Sequence, residues 1–173
     1  MAALIAPRLD EAGPGARLLF SAHGLPERTV ARGDPYPAQV ERTAVAVAAK
    51  LARPELDFRV CYQSRVGPLK WIGPSTESEI KRAGQERKKL VVTPIAFVSE
   101  HSETLVELDV EYRHLAEKSG VPLYLRVPAV GTAPEFIDGL ANLVETSLSR
   151  LNPIHSGSGA RLCPAGSACP CPA

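Results

Sequence analysis

Apolar residues along the chain are concentrated in four short, continuous runs, and longer stretches with helical spacing separate them. A run that is continuous rather than alternating is typical of a strand buried on both faces of a parallel sheet. The intervening stretches repeat apolar residues every three or four positions, as amphipathic helices do. The predicted strands cover residues 16–22, 58–64, 89–97 and 122–127. The predicted helices cover residues 36–51, 75–87, 101–118 and 134–150.

The alternation of strands and helices predicts an α/β fold. We expect a doubly wound, four-stranded parallel sheet flanked by helices on both faces. Residues 1–16 are expected to add one short helix, and residues 17–151 to form the α/β domain. In residues 152–173 Gly, Ser, Pro and Cys replace the apolar pattern, which indicates a tail without a core. Ligands bind beyond the carboxyl ends of the strands in such sheets, so the segments after the first three strands are the candidates for a site.

Polar and aromatic residues of unusual type follow the first two predicted strands. His23 stands where the chain leaves the first strand at Gly24. Ser64 and Arg65 follow the second strand, before a loop in which two Gly-Pro pairs enclose the single tryptophan, Trp71. A histidine at such a turn is also a common structural residue, and a tryptophan there also suits the cover of a sheet edge. Both alternatives stay open at this point.

The third segment, VSEHSETLVELDVEY at residues 98–112, spaces glutamates three or four residues apart. They are Glu100, Glu103, Glu107 and Glu111. On a helix with about 100° per residue they fall within an arc of roughly 80°. The predicted buried face of the same helix consists of Leu105, Leu108, Tyr112 and Leu115. Like charges at this spacing repel by ~0.2–0.5 kcal/mol per pair.

The acidic arc has two interpretations. A solvated helix face is the simpler one. The other is a site, because the helix dipole stabilises acids at an N-terminus that lies at the ligand-binding end of the sheet. A histidine and a glutamate brought to one cleft by different loops suit a divalent cation or a proton transfer.

Length, charge and composition narrow the class of protein. The chain has 173 residues, a formal net charge of +1 and 45% hydrophobic residues, as ordinary globular domains have. The charge leaves no basic footprint for nucleic acid, so no nucleic-acid partner is expected. No apolar stretch approaches the ~20 residues of a membrane span. Residues 1–13 lack the basic start of a signal peptide, and the cytoplasm is therefore the expected location.

Five segments together resemble the C-terminal half of ferrochelatase. In chain order they are LFSAHGLPE, GDPY, CYQSRVGPLKWIGPSTE, PIAFVSEHSETLVELDVEY and FIDGLANLV. The resemblance implies a chelatase-like fold, the second of the two ferrochelatase domains, with the porphyrin clamped between them. It implies a lyase that inserts Fe²⁺ into protoporphyrin IX in haem biosynthesis.

The resemblance also implies roles for individual residues. His23 and Glu103 match the catalytic pair, with His23 as proton acceptor and Glu103 as its partner; direct ligation of Fe²⁺ by His23 is the alternative. The positions that match metal-binding residues are His23, Glu103, Glu107 and Glu111. The positions that match substrate-binding residues are Ser64, Trp71, Glu100 and His101. The family often has Asp where this chain has Glu100.

Three of the four cysteines lie in the last eleven residues, at Cys163, Cys169 and Cys171. In a cytoplasmic chain clustered thiols favour metal or cluster ligation over disulfides. Some ferrochelatases hold a [2Fe–2S] cluster with three C-terminal cysteines and one from the N-terminal half, and the compact spacing here resembles the bacterial version. A redox-inert tail is the alternative. Cys61, inside the second strand, is expected to be a buried small residue and not the fourth ligand.

The length of the chain departs from the family. A ferrochelatase begins with another domain, which supplies the other wall of the clamp. The expected partners are therefore protoporphyrin IX, the N-terminal ferrochelatase domain or a partner chain that carries it, and a peripheral contact with the inner membrane. As a fragment, a split gene product or a truncated reading frame, the chain is expected to have little activity alone. The alternatives are a coproporphyrin ferrochelatase, another class II chelatase, and a non-catalytic haem- or metal-binding remnant.

Overall fold

A single sheet of four parallel strands carries the structure, a computed structural model that describes residues 1–65 and 67–149. The strands are β1 Arg17–His23, β2 Asp57–Gln63, β3 Leu90–Pro94 and β4 Tyr124–Arg126, in the order β2-β1-β3-β4. The central strand β1 is buried along all but its last residue, His23. This architecture confirms the predicted α/β class. β3 is shorter than predicted and ends at Pro94, which has no N–H to continue the ladder.

Helices fill the connections between the strands. They are α1 Ala2–Ala12, α2 Glu27–Ala31, α3 Tyr36–Leu51, α4 Thr76–Gln85, α5 Ser102–Leu105, α6 Tyr112–Lys118 and α7 Pro134–Leu148, with a π-helical turn at Glu107–Glu111 between α5 and α6. None of the helices in the described part of the chain is long and apolar enough to cross a membrane.

The hydrophobic core has one layer on each face of the sheet, because successive residues of a strand point to opposite faces. Leu18 and Phe20 pack with Ile5 and Leu9 of α1 on one face. Leu19 packs on the other face, where α4, the π-helical turn and α6 contribute buried side chains. They are Ile80, Ala83, Leu108, Tyr112 and Ala116. Helices on both faces are what the continuous apolar strands require.

The prediction of one continuous helix over residues 101–118 is wrong in its middle. Between α5 and α6 the Glu111 N–H donates to the carbonyl of Val106, five residues earlier, at 3.0 Å. This π-helical bond inserts an extra residue into the turn, so the residues before it no longer share a face with those after it as they would on a straight α-helix. Leu105, predicted on the buried face, is accordingly 48% exposed.

α7 is the last helix of the described residues, and the predicted tail follows it in the sequence. Residues 152–173, with Cys163, Cys169 and Cys171, fall outside the described residues. Cys61 is fully buried in β2, as predicted. Burial raises the pKa of its thiol to about 12, so Cys61 is a neutral side chain of the core.

Candidate active site

The carboxyl edge of the sheet brings the ends of β1 and β2 side by side. His23, the last residue of β1, pairs in register with Gln63, the last residue of β2. The segment after β3 returns over the same edge and leads into α5, which carries Glu103. The rule that ligands bind beyond the carboxyl ends of strands therefore selects one contiguous region here.

His23 and Glu103 face each other across this edge. The Nε2 atom of His23 lies 3.3 Å from Oε1 of Glu103, and the two side chains are 40% and 38% exposed. The Nδ1 atom of His23 lies 2.7 Å from the carbonyl oxygen of Gly24. Because a carbonyl oxygen only accepts, Nδ1 carries the hydrogen, and in the neutral ring Nε2 holds the free lone pair. The structure thus presents a basic nitrogen on a partly exposed side chain, beside a carboxylate.

A proton gained at Nε2 of His23 has a partner already in place. The protonated nitrogen would donate to Glu103, and the contact would become a charge-assisted hydrogen bond, which is shorter and stronger than a neutral one. The neutral ring instead directs its lone pair at the carboxylate. The arrangement therefore suits a group that accepts a proton from a substrate and retains it.

His101 fixes the backbone that carries Glu103. As the N-cap of α5, His101 accepts at Nδ1 the N–H of Glu103, at 3.2 Å, and its own N–H donates to Oγ1 of Thr104 at 2.9 Å. The buried ring of Phe97 packs against both histidines, with centroids 5.0 Å from His101 and 6.4 Å from His23. The ring of Phe97 therefore contacts both imidazoles.

Tyr36, at the start of α3, anchors the end of β1. Its hydroxyl donates to the carbonyl oxygen of His23 at 3.0 Å. Burial raises the pKa of Tyr36 to about 12, so the hydroxyl keeps its proton and remains a donor. The backbone of His23 is therefore held by the paired strand β2 and by α3.

Glu107 is turned toward β2 and is held by four hydrogen bonds. Its carboxylate accepts from the side-chain amide of Gln63 at 3.0 Å, from the N–H of Ser64 at 2.7 Å and from the hydroxyl of Ser64 at 2.5 Å. The hydroxyl of Tyr112 donates to it at 2.7 Å. A carboxylate has about four lone-pair positions. Glu107 therefore has no free position for a metal ion in this conformation.

The π-helical turn explains why Glu107 and Tyr112 meet. The two residues are five apart, and side chains five apart are not neighbours on an α-helix. Burial and the adjacent carboxylate raise the pKa of Tyr112, which keeps its hydroxyl a donor. Ser64 has a φ of 58°, a left-handed conformation that is unfavourable for serine. Its bonds to Glu107 stabilise that conformation.

Glu100 and Glu111 have opposite environments. Arg126 of β4 holds the Glu100 carboxylate at 2.8 Å and 3.0 Å and Asp109 at 2.6 Å, and the Ala129 N–H adds a bond to Glu100 at 2.8 Å. Burial opposes ionisation of Glu100, but the bonds from Arg126 and the Ala129 N–H outweigh it and lower its pKa. Glu111 is exposed.

The predicted metal ligands do not form one group. Within residues 1–65 and 67–149, no three His, Cys, Asp or Glu side chains are placed to hold a metal ion together. His23 and Glu103 meet, whereas Glu107 is bound to Ser64 and Glu111 points to solvent. The straight helical wheel placed all four glutamates on one face, but Glu100 precedes α5, and the π-helical turn separates Glu103 from Glu111.

Trp71, predicted either to be presented by its loop or to cover a sheet edge, packs beside the end of β1. It forms an isolated bridge with Pro26. A Cβ atom at Gly24 would lie 3.2 Å from Cε3 of Trp71 and 3.0 Å from the carbonyl oxygen of Gln63. Gly24 thus allows the tryptophan and β2 to approach the residue next to His23.

Comparison with known proteins places this site in a family. The ferrochelatase family model matches residues 1–148. The chain belongs to the ferrochelatase family. It is 62% identical over 156 residues to the ferrochelatase of Caulobacter vibrioides and 56% identical over 170 residues to that of Phenylobacterium zucineum. It is 45% identical over 163 residues to the ferrochelatase of Rickettsia felis.

The chain spans about half the length of the curated ferrochelatases it matches. The match covers 90% of this chain and 45% of the Caulobacter protein. It covers 95% of the chain and 48% of the Phenylobacterium protein, and 93% and 47% in the Rickettsia comparison. The ferrochelatase match includes every residue described above, from His23 to Arg126.

Sequence reasoning missed several supporting residues of the ferrochelatase site. They are Tyr36, Gln63, Phe97 and Arg126. Arg126 could have been identified from the sequence, since a charged residue inside a short apolar strand needs a partner. Phe97 and Tyr36 could not, because the pattern of the chain does not show which aromatic side chain contacts which histidine.

Proposed function

We propose that this chain forms the half of a ferrochelatase that carries the proton-accepting pair. In this reaction Fe²⁺ enters a porphyrin, protoporphyrin IX, while two pyrrolic N–H protons leave. The observation that supports the proposal most is the pair of contacts of His23: Nδ1 lies 2.7 Å from the carbonyl oxygen of Gly24, and Nε2 lies 3.3 Å from the Glu103 carboxylate. Nε2 takes one pyrrolic proton, and the Glu103 carboxylate stabilises the imidazolium that results; the second pyrrolic proton is released to water.

The four glutamates divide into different roles under this proposal. Glu103 acts at the reacting centre, and exposed Glu111 attracts the divalent ion on its approach, since hard oxygen ligands bind such ions without trapping them. Glu107 contributes by holding Ser64 and the end of β2. Trp71 and Ser64 border the porphyrin, and His101 positions Glu103.

Metallation of porphyrin tests the proposal. The chain is combined with the half of the Caulobacter vibrioides ferrochelatase that lies outside the match, and loss of porphyrin fluorescence is followed after anaerobic addition of Fe²⁺. We expect His23→Ala to lower the rate by about 10²-fold or more, as removal of a general base does. His114→Ala, an exposed histidine of α6, is the matched control and should keep the rate. Equal rates in the two variants, or no metallation by the wild-type combination, would refute the proposal in favour of a non-catalytic binding remnant.

Direct ligation of Fe²⁺ by His23 is distinguished by a separate measurement. A proton acceptor leaves Fe²⁺ binding in the absence of porphyrin unchanged in His23→Ala, whereas a ligand weakens it. The same fluorescence assay with coproporphyrin, or with Co²⁺ and Ni²⁺, determines which porphyrin and metal the combined protein prefers.

We also propose that Cys163, Cys169 and Cys171 are three of the four ligands of a [2Fe–2S] cluster. The support is the chemistry of the donor set, three thiols in a C-x₅-C-x-C pattern. Cys61 does not supply the fourth, because it is buried in β2 with a raised pKa. The fourth ligand therefore comes from outside the described residues, which agrees with a second half. Anaerobically purified combined protein should show the visible spectrum of such a cluster, and Cys169→Ser should abolish it.

A peripheral contact with a membrane is the remaining part of the proposed function. Its support is the poor solubility of porphyrin in water. Flotation of the combined protein with anionic vesicles tests it, and absence of the protein from the vesicle fraction would refute it.

A further inference from the structure

We propose that Ser21, in the middle of β1, is a positioning residue of the ferrochelatase reaction. Its hydroxyl holds the side-chain amide of Gln63, and that amide in turn holds the backbone of Glu103. The effect of Ser21 on the rate rests on the proposed function, whereas its effect on Gln63 rests on geometry alone. Ser21 and Gln63 are both fully buried, so Ser21 does not touch the substrates and acts through Gln63.

Ser21 lies one layer below the candidate active site in the sheet. Residues two apart in a strand point to the same face, so Ser21 and His23 share one face of β1. Gln63 pairs in register with His23 on the neighbouring strand, and its side chain reaches back to Ser21. There Oε1 of Gln63 accepts the hydroxyl of Ser21 at 2.7 Å. The bond therefore joins the two strands just below their last residues.

The surroundings of the Gln63 amide determine its orientation. Its nitrogen lies 2.8 Å from the carbonyl oxygen of Glu103 and 3.0 Å from the carboxylate of Glu107, and an ionised carboxylate, like a carbonyl oxygen, only accepts. The amide oxygen must therefore face Ser21, whose hydroxyl donates to it. A hydroxyl has one hydrogen, so Ser21 is the acceptor in its second contact, with the hydroxyl of Thr76 at 2.9 Å. Ser21 is thus the donor that holds the oxygen end of the amide.

The amide connects Ser21 to the geometry of the reacting pair. Gln63 binds the carbonyl oxygen of Glu103, and His101 binds its N–H at 3.2 Å, so the backbone of Glu103 is held from both sides. The Glu103 carboxylate in turn lies 3.3 Å from Nε2 of His23. Without the hydroxyl of Ser21, the amide oxygen of Gln63 loses its donor in a place that water does not reach. A shift of the amide toward another donor would loosen its hold on Glu103.

A serine at this position needs a partner, because alanine would suit an apolar strand better. Ser21 stands between Phe20 and Ala22, and all three residues are fully buried. A buried hydroxyl lowers the stability of a protein unless it is hydrogen-bonded. The bond to Gln63 meets that requirement and places the hydroxyl under the end of the strand that carries His23.

Nuclear magnetic resonance of the full chain tests the link between Ser21 and Gln63 without any metallation assay. We expect Ser21→Ala to shift the side-chain amide resonances of Gln63 and to speed their hydrogen exchange by about tenfold, the effect of about one lost hydrogen bond. Thr76→Val is the matched control, because it removes an equally buried hydroxyl from the same network and leaves Ser21 donating to Gln63. Unchanged Gln63 resonances in Ser21→Ala, or equal changes in the two variants, would overturn the proposal.

The rate of metallation tests whether this link positions Glu103. In the chain combined with the other half of the Caulobacter vibrioides ferrochelatase, Ser21→Ala should lower kcat by about tenfold and leave KM for porphyrin unchanged, because Ser21 does not touch the substrate. Ser21→Cys keeps a weaker donor at the same place and should recover part of the rate. In the Gln63→Leu background Ser21→Ala should have no further effect on kcat, because Ser21 acts through that amide.

The combined variants separate positioning from a structural role. Additive losses of kcat in the Gln63→Leu background, or a raised KM with unchanged kcat in Ser21→Ala, would overturn the proposal. Circular dichroism checks that each variant is folded, and Ser21→Ala removes one hydroxyl without adding volume to the core. A wild-type combination that does not metallate porphyrin, together with the expected change at Gln63, would refute the proposed reaction and uphold the link between Ser21 and Gln63.

Discussion

Glu107 holds the end of β2 to the π-helical turn, and its removal should destabilise the fold. Glu107→Ala leaves four donors without their acceptor. The hydroxyl of Tyr112 is the most costly, because the residue is 4% exposed and water does not replace the carboxylate. Gln63 is fully buried but keeps a second acceptor, the carbonyl oxygen of Glu103 at 2.8 Å.

The expected loss follows from these environments. An unsatisfied buried donor costs about 1–3 kcal/mol, and a hydrogen bond to a charged group contributes about 1.5–3 kcal/mol. Tyr112 accounts for the larger part, and the two donors of half-buried Ser64 recover part of their loss through water. We expect about 3 kcal/mol in total, which for a chain of this size lowers Tm by about 6–12 °C.

Denaturation by urea, followed by circular dichroism, measures this loss against a matched control. Glu111→Ala removes the same charge from the same acidic row, but Glu111 is exposed, and a surface substitution changes stability by at most about 0.5 kcal/mol. In a double-mutant cycle, Tyr112→Phe and Glu107→Ala should be less than additive, because they remove the same bond. Equal stability of Glu107→Ala and Glu111→Ala would refute the reasoning and return Glu107 to the role of a solvated metal ligand.

Three further predictions concern the supports of the sheet and the site. Arg126→Met should raise the pKa of Glu100, since Arg126 holds that carboxylate ionised, and the carboxyl chemical shift followed by NMR over pH measures the change; an unchanged titration curve would contradict it. The bond from buried Arg17 to Asp57 outweighs the opposing effect of burial and lowers the pKa of Asp57. The ionised Asp57 carboxylate therefore contributes to stability above about pH 4, and this contribution is lost as the pH falls through the pKa of Asp57 in the folded state. Urea titrations between about pH 3 and about pH 6 should show a larger loss of stability in the wild type than in Arg17→Met. Gly84→Ala should destabilise the fold by at least about 2 kcal/mol in thermal melts, because the added Cβ would lie 2.0 Å from a backbone oxygen of the loop after α6. This cost exceeds the gain from the better helix propensity of alanine. A rise in Tm would show that the loop moves to make room for the Cβ.

The strands and the position of the site follow directly from the sequence. Continuous apolar runs such as residues 16–22 need cover on both faces, and only a parallel sheet between helices supplies it. The carboxyl-end rule then brings His23 and Glu103 to one edge without knowledge of any contact. Their separation of 3.3 Å and the tautomer of His23 depend on a loop carbonyl, at Gly24, that no periodicity reveals.

The hydrogen-bond partners of the glutamates could not be predicted from the local pattern, because those partners lie far away in the chain. A helical wheel assumes a constant turn and treats Glu100 and Glu107 as equivalent. In the structure the Glu100 carboxylate accepts a hydrogen bond from Arg126, which lies 26 residues later. The Glu107 carboxylate accepts one from Ser64, which lies 43 residues earlier. The π-helical turn exists where these tertiary bonds compete with the regular α-helical ladder. The local sequence alone does not predict the outcome of that competition.

Gln63 connects the chemistry of the site to its framework. Its side-chain amide donates both to the carbonyl oxygen of Glu103 and to the carboxylate of Glu107, so one buried side chain fixes the two ends of the junction between α5 and the π-helical turn. The Glu107 carboxylate is thereby bound by hydrogen-bond donors, while the Glu103 carboxylate remains available to His23. A uniform row of solvated carboxylates would leave Glu103 free to move with its helix. Anchoring its neighbour instead holds the Glu103 carboxylate within reach of Nε2 of His23.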